Sequence, residues 1–350
     1  MRRVGAFFER MTSFEALAAA ARRAALGKKK KRPVARFLLD LEPEVLKLRR
    51  ELREGTWRPS PPKTFTIKDP KPRRIVAVPF RDRVVHHALM AEVAPALDRT
   101  LGPESFACRD GKGGHAAVRR AHELARGGGF FLKTDVLHFF ETVDQELVLE
   151  RVERHVKDRR ALELLARIVR VPVLGSEPGE GLPIGSLTSQ HLANFFLGAF
   201  DRFARERLGL GRYARYMDDV IAFHEERTVL DDALVELVAF VRDELKLKLK
   251  MRATWIAPVE DGLPFLGFRV FPGTVRLGRA ARLRFARRLR RKERAFRAGR
   301  LSEEALAREA NALVAHVAGA STLAFRRSVL RSGENGGALP AILTIRGSGT

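Results

Sequence analysis

Short apolar runs closed by turn residues alternate along this chain with segments whose apolar residues recur every three or four positions. Phe7, Met11, Phe14 and Leu17 recur at helical spacing and predict an amphipathic helix over 5–26. Further helices are expected over 34–54, ending at Gly55, and over 81–99, 115–126, 144–170 and 187–207, with a loop at 172–185. A helix over 229–247 puts Leu230, Leu234, Leu237 and Val241 on one face. Phe65-Thr66-Ile67-Lys68 and Arg74-Ile75-Val76-Ala77-Val78 read as strands joined through Asp69-Pro70-Lys71-Pro72. After the glycines Gly127-Gly128-Gly129, the run Phe130 to Val136 reads as a strand ending at Asp135. The aromatic segment around Tyr213 and Tyr216 and the apolar run Val220-Ile221-Ala222-Phe223 read as two strands joined by an acidic turn at Asp218-Asp219. Leu245 to Met251 alternates apolar and basic residues, the pattern of a half-buried strand.

Charge changes this picture. The chain has 66 Lys+Arg against 42 Asp+Glu, a formal net charge of +24, which points to a polyanionic partner. Nucleic acid fits better than membrane, because no apolar span approaches the ~20 residues a crossing needs. Residues 276–300 concentrate the excess, with twelve Arg or Lys and one acid, Glu293. Phe285, Leu289 and Phe296 give that segment an apolar helical stripe, Gly299 ends it, and Ser302 caps a second helix with Glu303 and Glu304 in its first turn. The run Lys28 to Arg32 is either a solvated linker or a contact to RNA backbone. A single cysteine, Cys108, excludes an intramolecular disulfide and a Cys-based zinc site, and suits a reducing cytoplasm. Packing roles are expected for Cys108, His86 and His87. Gly111-Lys112-Gly113-Gly114 lacks the spacing of a phosphate-binding loop and reads as a turn. Glu9 and Glu15 interrupt the start, and no signal-peptide pattern follows Met1-Arg2-Arg3.

Two acidic features then carry the chemistry. Adjacent carboxylates at a hairpin tip repel one another unless solvated or bound to a cation. Alone, Asp218-Asp219 is a solvated turn and Asp135 a strand-end cap. Brought together on adjacent strands, they could hold two Mg²⁺ ions about 4 Å apart, a site for phosphoryl or nucleotidyl transfer.

The ordered motifs resemble those of reverse transcriptases. Lys133-Thr134-Asp135 with Phe139-Phe140 resembles their first catalytic motif, and Tyr216-Met217-Asp218-Asp219 their metal-binding box. Gly181 to Gln190, followed by Leu192-Ala193-Asn194, is similar to the motif that contacts nucleotide and template. Leu263 to Phe268 resembles the primer grip, and Arg74-Ile75-Val76 with Phe80 to His87 the fingers motif of the bacterial group. The resemblance implies an α+β right-hand polymerase fold, with fingers, a palm whose antiparallel sheet carries the aspartates, and a helical thumb. It implies an N-terminal helical extension at 1–60, fingers and palm at 61–275, a basic thumb at 276–330 and a flexible tail at 331–350.

As catalytic residues the resemblance implies Asp135, Asp218 and Asp219, which with Val136 hold two Mg²⁺ ions (Mn²⁺ substituting). Lys68, Arg74, Phe140, Ile184, Gly185 and Gln190 are the implied nucleotide contacts. Lys68 and Arg74 suit triphosphate oxygens, though either is also an ordinary exposed hairpin charge. Phe140 lies where the family blocks a ribose 2′-hydroxyl, a role compatible with core packing. Tyr216 and Met217 pack against the primer end. Arg287, Arg288, Arg290 and Arg291 grip phosphates of the template–primer. Implied partners are template RNA, the RNA/cDNA duplex and dNTPs.

Most family members have Gln where this chain has Ile184, and Pro where it has Gln190. Ile-Gly-x-x-x-Ser-Gln resembles the enzymes of diversity-generating retroelements, which err opposite template adenine and act with an accessory variability protein, a pentameric helical barrel. Gln offers donors and an acceptor near the incoming nucleotide and Ile offers neither, which relaxes discrimination. Retron-type or phage-defence enzymes are the alternative. A silent RNA-binding scaffold is disfavoured by the intact carboxylates, and an RNA-dependent RNA polymerase by Phe140. No zinc-finger or His-Asn-His segment follows the basic helices, so a group II intron protein with its own endonuclease is not expected.

Overall fold

The computed structural model describes residues 6–67 and 73–331. The span 5–26, expected as one helix, forms two, and 34–54 is helical as expected. Helices α1 (Phe7–Met11) and α2 (Phe14–Ala24) part at Ser13, whose side chain accepts from the Ala16 N–H at 3.1 Å and so restarts the helix. Helices α3 (Arg32–Leu39) and α4 (Leu41–Arg53) part at Asp40, where the backbone leaves helical geometry. Phe7, Met11, Leu17, Val45, Leu48 and Trp57 are buried among them. Strands β1 (Lys63–Ile67) and β2 (Arg73–Ala77) pair antiparallel, with Phe65 opposite Ile75. The connection that carries Lys68 lies outside the described residues. Helix α5 (Phe80–Asp98) follows and is buried over much of its length. His86 is one of its buried residues. Its Nδ1 lies 3.1 Å from Ser186 Oγ and 3.2 Å from Thr188 Oγ1, and burial lowers its pKa to about 4, so it serves as a neutral packing group.

Beyond α6 (Gly114–Ala125) come β3 (Phe130–Asp135), the short α7 (Phe139–Thr142), α8 (Gln145–Glu153) and α9 (Arg159–Val169). The helices expected over 144–170 are these two, α8 and α9, parted where Asp158 caps α9 by accepting from the Ala161 N–H at 3.2 Å. The span 187–207 likewise divides, into α10 (Leu187–Phe196), α11 (Gly198–Arg202) and a π-helical turn, Phe203–Arg207. Strands β4 (Tyr213–Tyr216) and β5 (Asp219–His224), helix α12 (Arg227–Asp243) and β6 (Trp255–Pro258) complete a four-stranded antiparallel sheet in the order β4-β5-β3-β6. Leu245 to Met251 is not a strand. Leu245, Leu247 and Leu249 are buried as the alternation requires, but the segment makes a single isolated bridge, Val136 to Leu249.

Both faces of the sheet are covered, which explains its near-continuous apolar runs. Leu132, Val220 and Ala222 join a core with α5, α10 and α12. Phe131, Ile221 and Phe223 join a second core with α6 and the C-terminal elements. Those elements begin with a three-stranded antiparallel sheet, β7 (Leu263–Phe265), β8 (Phe268–Val270) and β9 (Val275–Leu277). Strand β9 thus takes the first residues of the segment expected to be helical from 276. Helix α13 (Arg279–Arg297) buries Phe285, Leu289 and Glu293. Helices α14 (Glu303–Val317), capped by Ser302, and α15 (Leu323–Arg331) follow, and the expected tail lies almost wholly outside the described residues.

Candidate active site

Pairing of β3 with β5 places Asp135 directly opposite Asp219, and β4–β5 closes on Tyr216 opposite Asp219. Met217 and Asp218 are therefore the two residues of a tight hairpin turn. Met217 has φ 55, a left-handed conformation that such turns ordinarily give to glycine. The three carboxylates meet at one end of the sheet. Burial first, and then the neighbouring Asp135 and Asp219 charges, push the Asp218 carboxyl up to about 7. Burial also raises Asp219, although contact with the Lys133 ammonium and a hydrogen bond from the Leu266 N–H oppose the rise. Leu266 belongs to the β7–β8 turn, in the tract expected as a primer grip, where Leu266 and Gly267 both have positive φ. Asp135 is tied by its backbone, whose carbonyl accepts from the Lys250 N–H at 2.8 Å, while Lys250 Nζ stands 3.9 Å from its Oδ2.

This donor set suits a hard divalent cation. Among the described residues no group of three or more His, Cys, Asp or Glu side chains is disposed to hold a metal ion by itself. Mg²⁺ does not require one, since it is commonly held by one or two carboxylates together with substrate phosphates. Like charges that hold one another's protons are what a cation relieves. Val136 is buried, and the bonds flanking its bridge to Leu249 run from Leu137 N–H to the Lys248 carbonyl and from Lys250 N–H to Asp135. A contribution from Val136 therefore has to come from its backbone.

Behind the turn lies a network that the sequence did not announce. Arg215 has no exposed surface, and its Nε and Nη2 donate to Asp201 Oδ1 and Oδ2, both at 2.6 Å. Tyr213 donates to the same carboxylate at 2.8 Å. Arg215 Nη1 also reaches Asn194 Oδ1 at 2.9 Å and the Met217 carbonyl at 3.0 Å, so the guanidinium grips the hairpin turn directly. Asn194 belongs to the motif after Gln190. It accepts from Ser105 Oγ at 2.9 Å and donates to the Ala107 carbonyl at 2.7 Å.

A cleft of about 380 Å³ between the β1–β2 hairpin, α7 and the loop before α10 brings together Arg74, Phe140 and Ile184, along with Arg73, which sequence reasoning passed over. Arg74 Nη1 donates to the Leu174 carbonyl at 2.8 Å, and the Val76 N–H donates to the Ile184 carbonyl at 2.8 Å. Gly185 is required at φ +103, because a Cβ there would stand 3.1 Å from both Ile75 Cγ2 and the Val76 carbonyl. Phe140 packs edge-on against Phe139 at 5.3 Å and remains half-buried. Gln190 does not line this cleft. It is exposed, with Oε1 3.9 Å from Cys108 Sγ. Arg287, Arg288, Arg290 and Arg291 are exposed along α13, opposite the buried Phe285–Leu289 stripe.

Residues 65–270 match the family model described as "Reverse transcriptase (RNA-dependent DNA polymerase)". The chain is 26% identical over 278 residues to protein YkfC of Escherichia coli K12, covering 67% of this chain and 73% of that protein. It is 23% identical over 171 residues to the putative COX1/OXI3 intron 1 protein of Saccharomyces cerevisiae, covering 47% of this chain and 20% of that one. Nuclear intron maturase 1, mitochondrial, of Arabidopsis thaliana is 32% identical over 86 residues, 25% of this chain and 12% of that one. A solved telomerase from Candida albicans in complex with a fragment of telomeric RNA gives a TM-score of 0.48 at 10% identity, over 78% of this chain and 59% of that one, too remote to carry an argument. No helix among the described residues is long and apolar enough to cross a membrane.

Proposed function

The chain belongs to the reverse transcriptase family and is an RNA-directed DNA polymerase, and from that premise we propose that it copies a template RNA by two-metal nucleotidyl transfer with errors concentrated at template adenines. The observation that carries the catalytic reading is the meeting of Asp135, Asp218 and Asp219 at one sheet end, with the Asp218 carboxyl pushed up to about 7. Asp135 and Asp218 would hold Mg²⁺, with the backbone of Val136 contributing. Asp219, engaged by Lys133 and the Leu266 N–H, orients the pair. When bound, Mg²⁺ there would supply activation of the primer 3′-hydroxyl and charge compensation for the departing pyrophosphate. Arg74 receives triphosphate oxygens, with Lys68 as its partner from the fingers connection. Phe140 stands against the sugar, and Gly185 lets the fingers strand close on the nucleotide. Gln190, outside the cleft, contacts the template. The arginines of α13 hold duplex phosphates, as the thumb of an enzyme whose fingers and palm span 61–275.

The adenine reading rests on Ile184, an apolar wall of the cleft where a hydrogen-bonding side chain would sharpen selection. It places the chain with diversity-generating retroelements, in a reducing cytoplasm, acting with a helical accessory protein. A second reading is favoured by the relatives whose names contain intron or maturase: a polymerase that acts on intron RNA. Sequencing cDNA made by the purified chain on a mixed-sequence RNA separates them. Ile184→Gln is expected to lower misincorporation opposite adenine severalfold; equal adenine errors in both proteins would remove the diversity-generating reading and leave the intron-type one.

A further inference from the structure

Helix α8 carries two cavities of opposite character. On one face, a groove of about 660 Å³ shared with α9 is rimmed by Glu146, Glu150, Glu153 and Glu163, which outnumber its two cations, Arg170 (paired with Glu146) and Lys246. Around the helix from it, a cavity of about 460 Å³ opens between α8, the end of α10, α11 with the π turn, and α12. Its charged walls include Arg151, Arg154, Arg202 and Arg207, and its aromatic walls include Phe195 and Phe240. No residue lining it also lines the fingers–palm cleft.

We propose that this second cavity binds a nucleoside phosphate, presented as one splayed nucleotide of single-stranded RNA running outside the polymerase cleft. Its volume suits one base with its phosphate, within the range of small-molecule sites. The cations available for a phosphate are identifiable. Arg202 and Arg207 are exposed and have no carboxylate partner among the described residues, whereas Arg154 is paired with Glu150. Four arginines in the lining face two acids, Glu206 and Glu244, and Glu206 is engaged by Arg205 Nη2 at 2.7 Å, a cation outside the cavity. The Glu244 carbonyl takes the Arg151 Nη2 hydrogen bond at 2.8 Å and fixes that guanidinium 4.7 Å over the Phe196 ring. Aromatic and guanidinium planes are the surfaces on which unstacked bases are held. His155 stands edge-on to Phe195 at 5.4 Å, and Phe203 stacks on Phe240 at 4.1 Å, so the aromatic wall is preformed. The lining adopts π-helical geometry at Phe203–Arg207, a distortion frequent at functional sites. The acidic groove on the neighbouring face repels a strand and confines it to this side.

The inference rests on the polymerase reading only in its choice of RNA as the strand. The test uses the full chain with Arg202→Glu/Arg207→Glu, and Arg119→Glu/Arg126→Glu on α6 as an equally charged control, all four arginines being exposed. Anisotropy of a labelled unstructured oligoribonucleotide is read with the cleft filled by excess unlabelled template–primer, and ATP is added as competitor. Loss of oligoribonucleotide binding by about tenfold or more in the first variant, and by much less in the control, is expected. Displacement of the strand by ATP at low concentration would mean that a free nucleotide is the ligand, overturning the strand assignment; no displacement supports it. Equal binding by wild type and R202E/R207E overturns the site. Primer extension on a minimal template–primer is expected to be unchanged in R202E/R207E. Failure of extension by the wild-type chain would instead strike the polymerase reading.

Discussion

Asp201 and Asp218 are both carboxylates drawn away from bulk water, and Arg215 touches the first and the turn that carries the second, yet the fold treats them in opposite ways. Asp201 receives two guanidinium hydrogen bonds and a tyrosine hydroxyl, so its charge is matched in place. Asp218 is crowded by burial and by the like charges of Asp135 and Asp219. A matched buried acid fixes a structure, whereas an unmatched one is tolerated where something brought from solution completes it. The two acids thus separate what holds the hairpin from what the hairpin holds.

The largest test of that contrast removes the unmatched charge. Asp218→Asn is expected to reduce primer extension by about a thousandfold or more, ~4 kcal/mol of barrier, while leaving thermal stability in EDTA equal or higher. Extension within tenfold of wild type would break the assignment. The complementary change removes the matching cation. Arg215→Met leaves Asp201 buried without its partner and is expected to cost about 3–5 kcal/mol in denaturant unfolding, with most of it recovered when Asp201→Leu is added. A stable single variant would show that the ion pair does not secure the turn.

The smallest effect is a pH dependence. The Asp218 carboxyl is held at about 7 against an ordinary 3.8, so the folded state binds its proton more tightly than the unfolded chain does. The associated stability is full below the ordinary value and is lost as pH rises through that window. In EDTA, Tm should therefore fall from pH 4 toward pH 7 by a few degrees beyond the Asp218→Asn variant. Added Mg²⁺ should raise Tm by about 1–2 °C per kcal/mol of binding at pH 8 and hardly at all at pH 5, because the carboxylates must be deprotonated to bind it. An equal Mg²⁺ response at both pH values would detach the cation from this site.

Much of this was legible in the chain because the sheet's requirements are local. Phe130 to Asp135 and Asp219 to His224 are short apolar runs that each carry an acid at one end, and antiparallel pairing of the two brings those ends together. Arg215 was not legible. An arginine amid strand residues reads as a surface charge, and its partner Asp201 sits on a helix that periodicity made continuous with α10. Strand β6 was missed because Pro258 argues against a ladder position; it is tolerated there because β6 is the sheet edge. Leu245 to Met251 misled in the other direction, since its alternation reports burial on one side and carries no information about a pairing partner. Arg73 was overlooked beside Arg74, although alternate residues of a hairpin face opposite sides and only the three-dimensional path shows that both line the cleft.

The two-core sheet sets the terms on which this gene can change. Phe131 and Leu132 belong to different cores, as do Ile221 and Ala222. A one-residue insertion or deletion inside β3 or β5 exchanges every side chain between them, and in the same stroke slides Asp135 off Asp219. Lesions that would misalign the acids are therefore eliminated as folding failures before they can persist as inactive enzymes. Length variation in the turn between α13 and α14 moves neither strand and no residue of the cleft, so lineages can diverge there while inheriting the alignment from residues that never touch substrate.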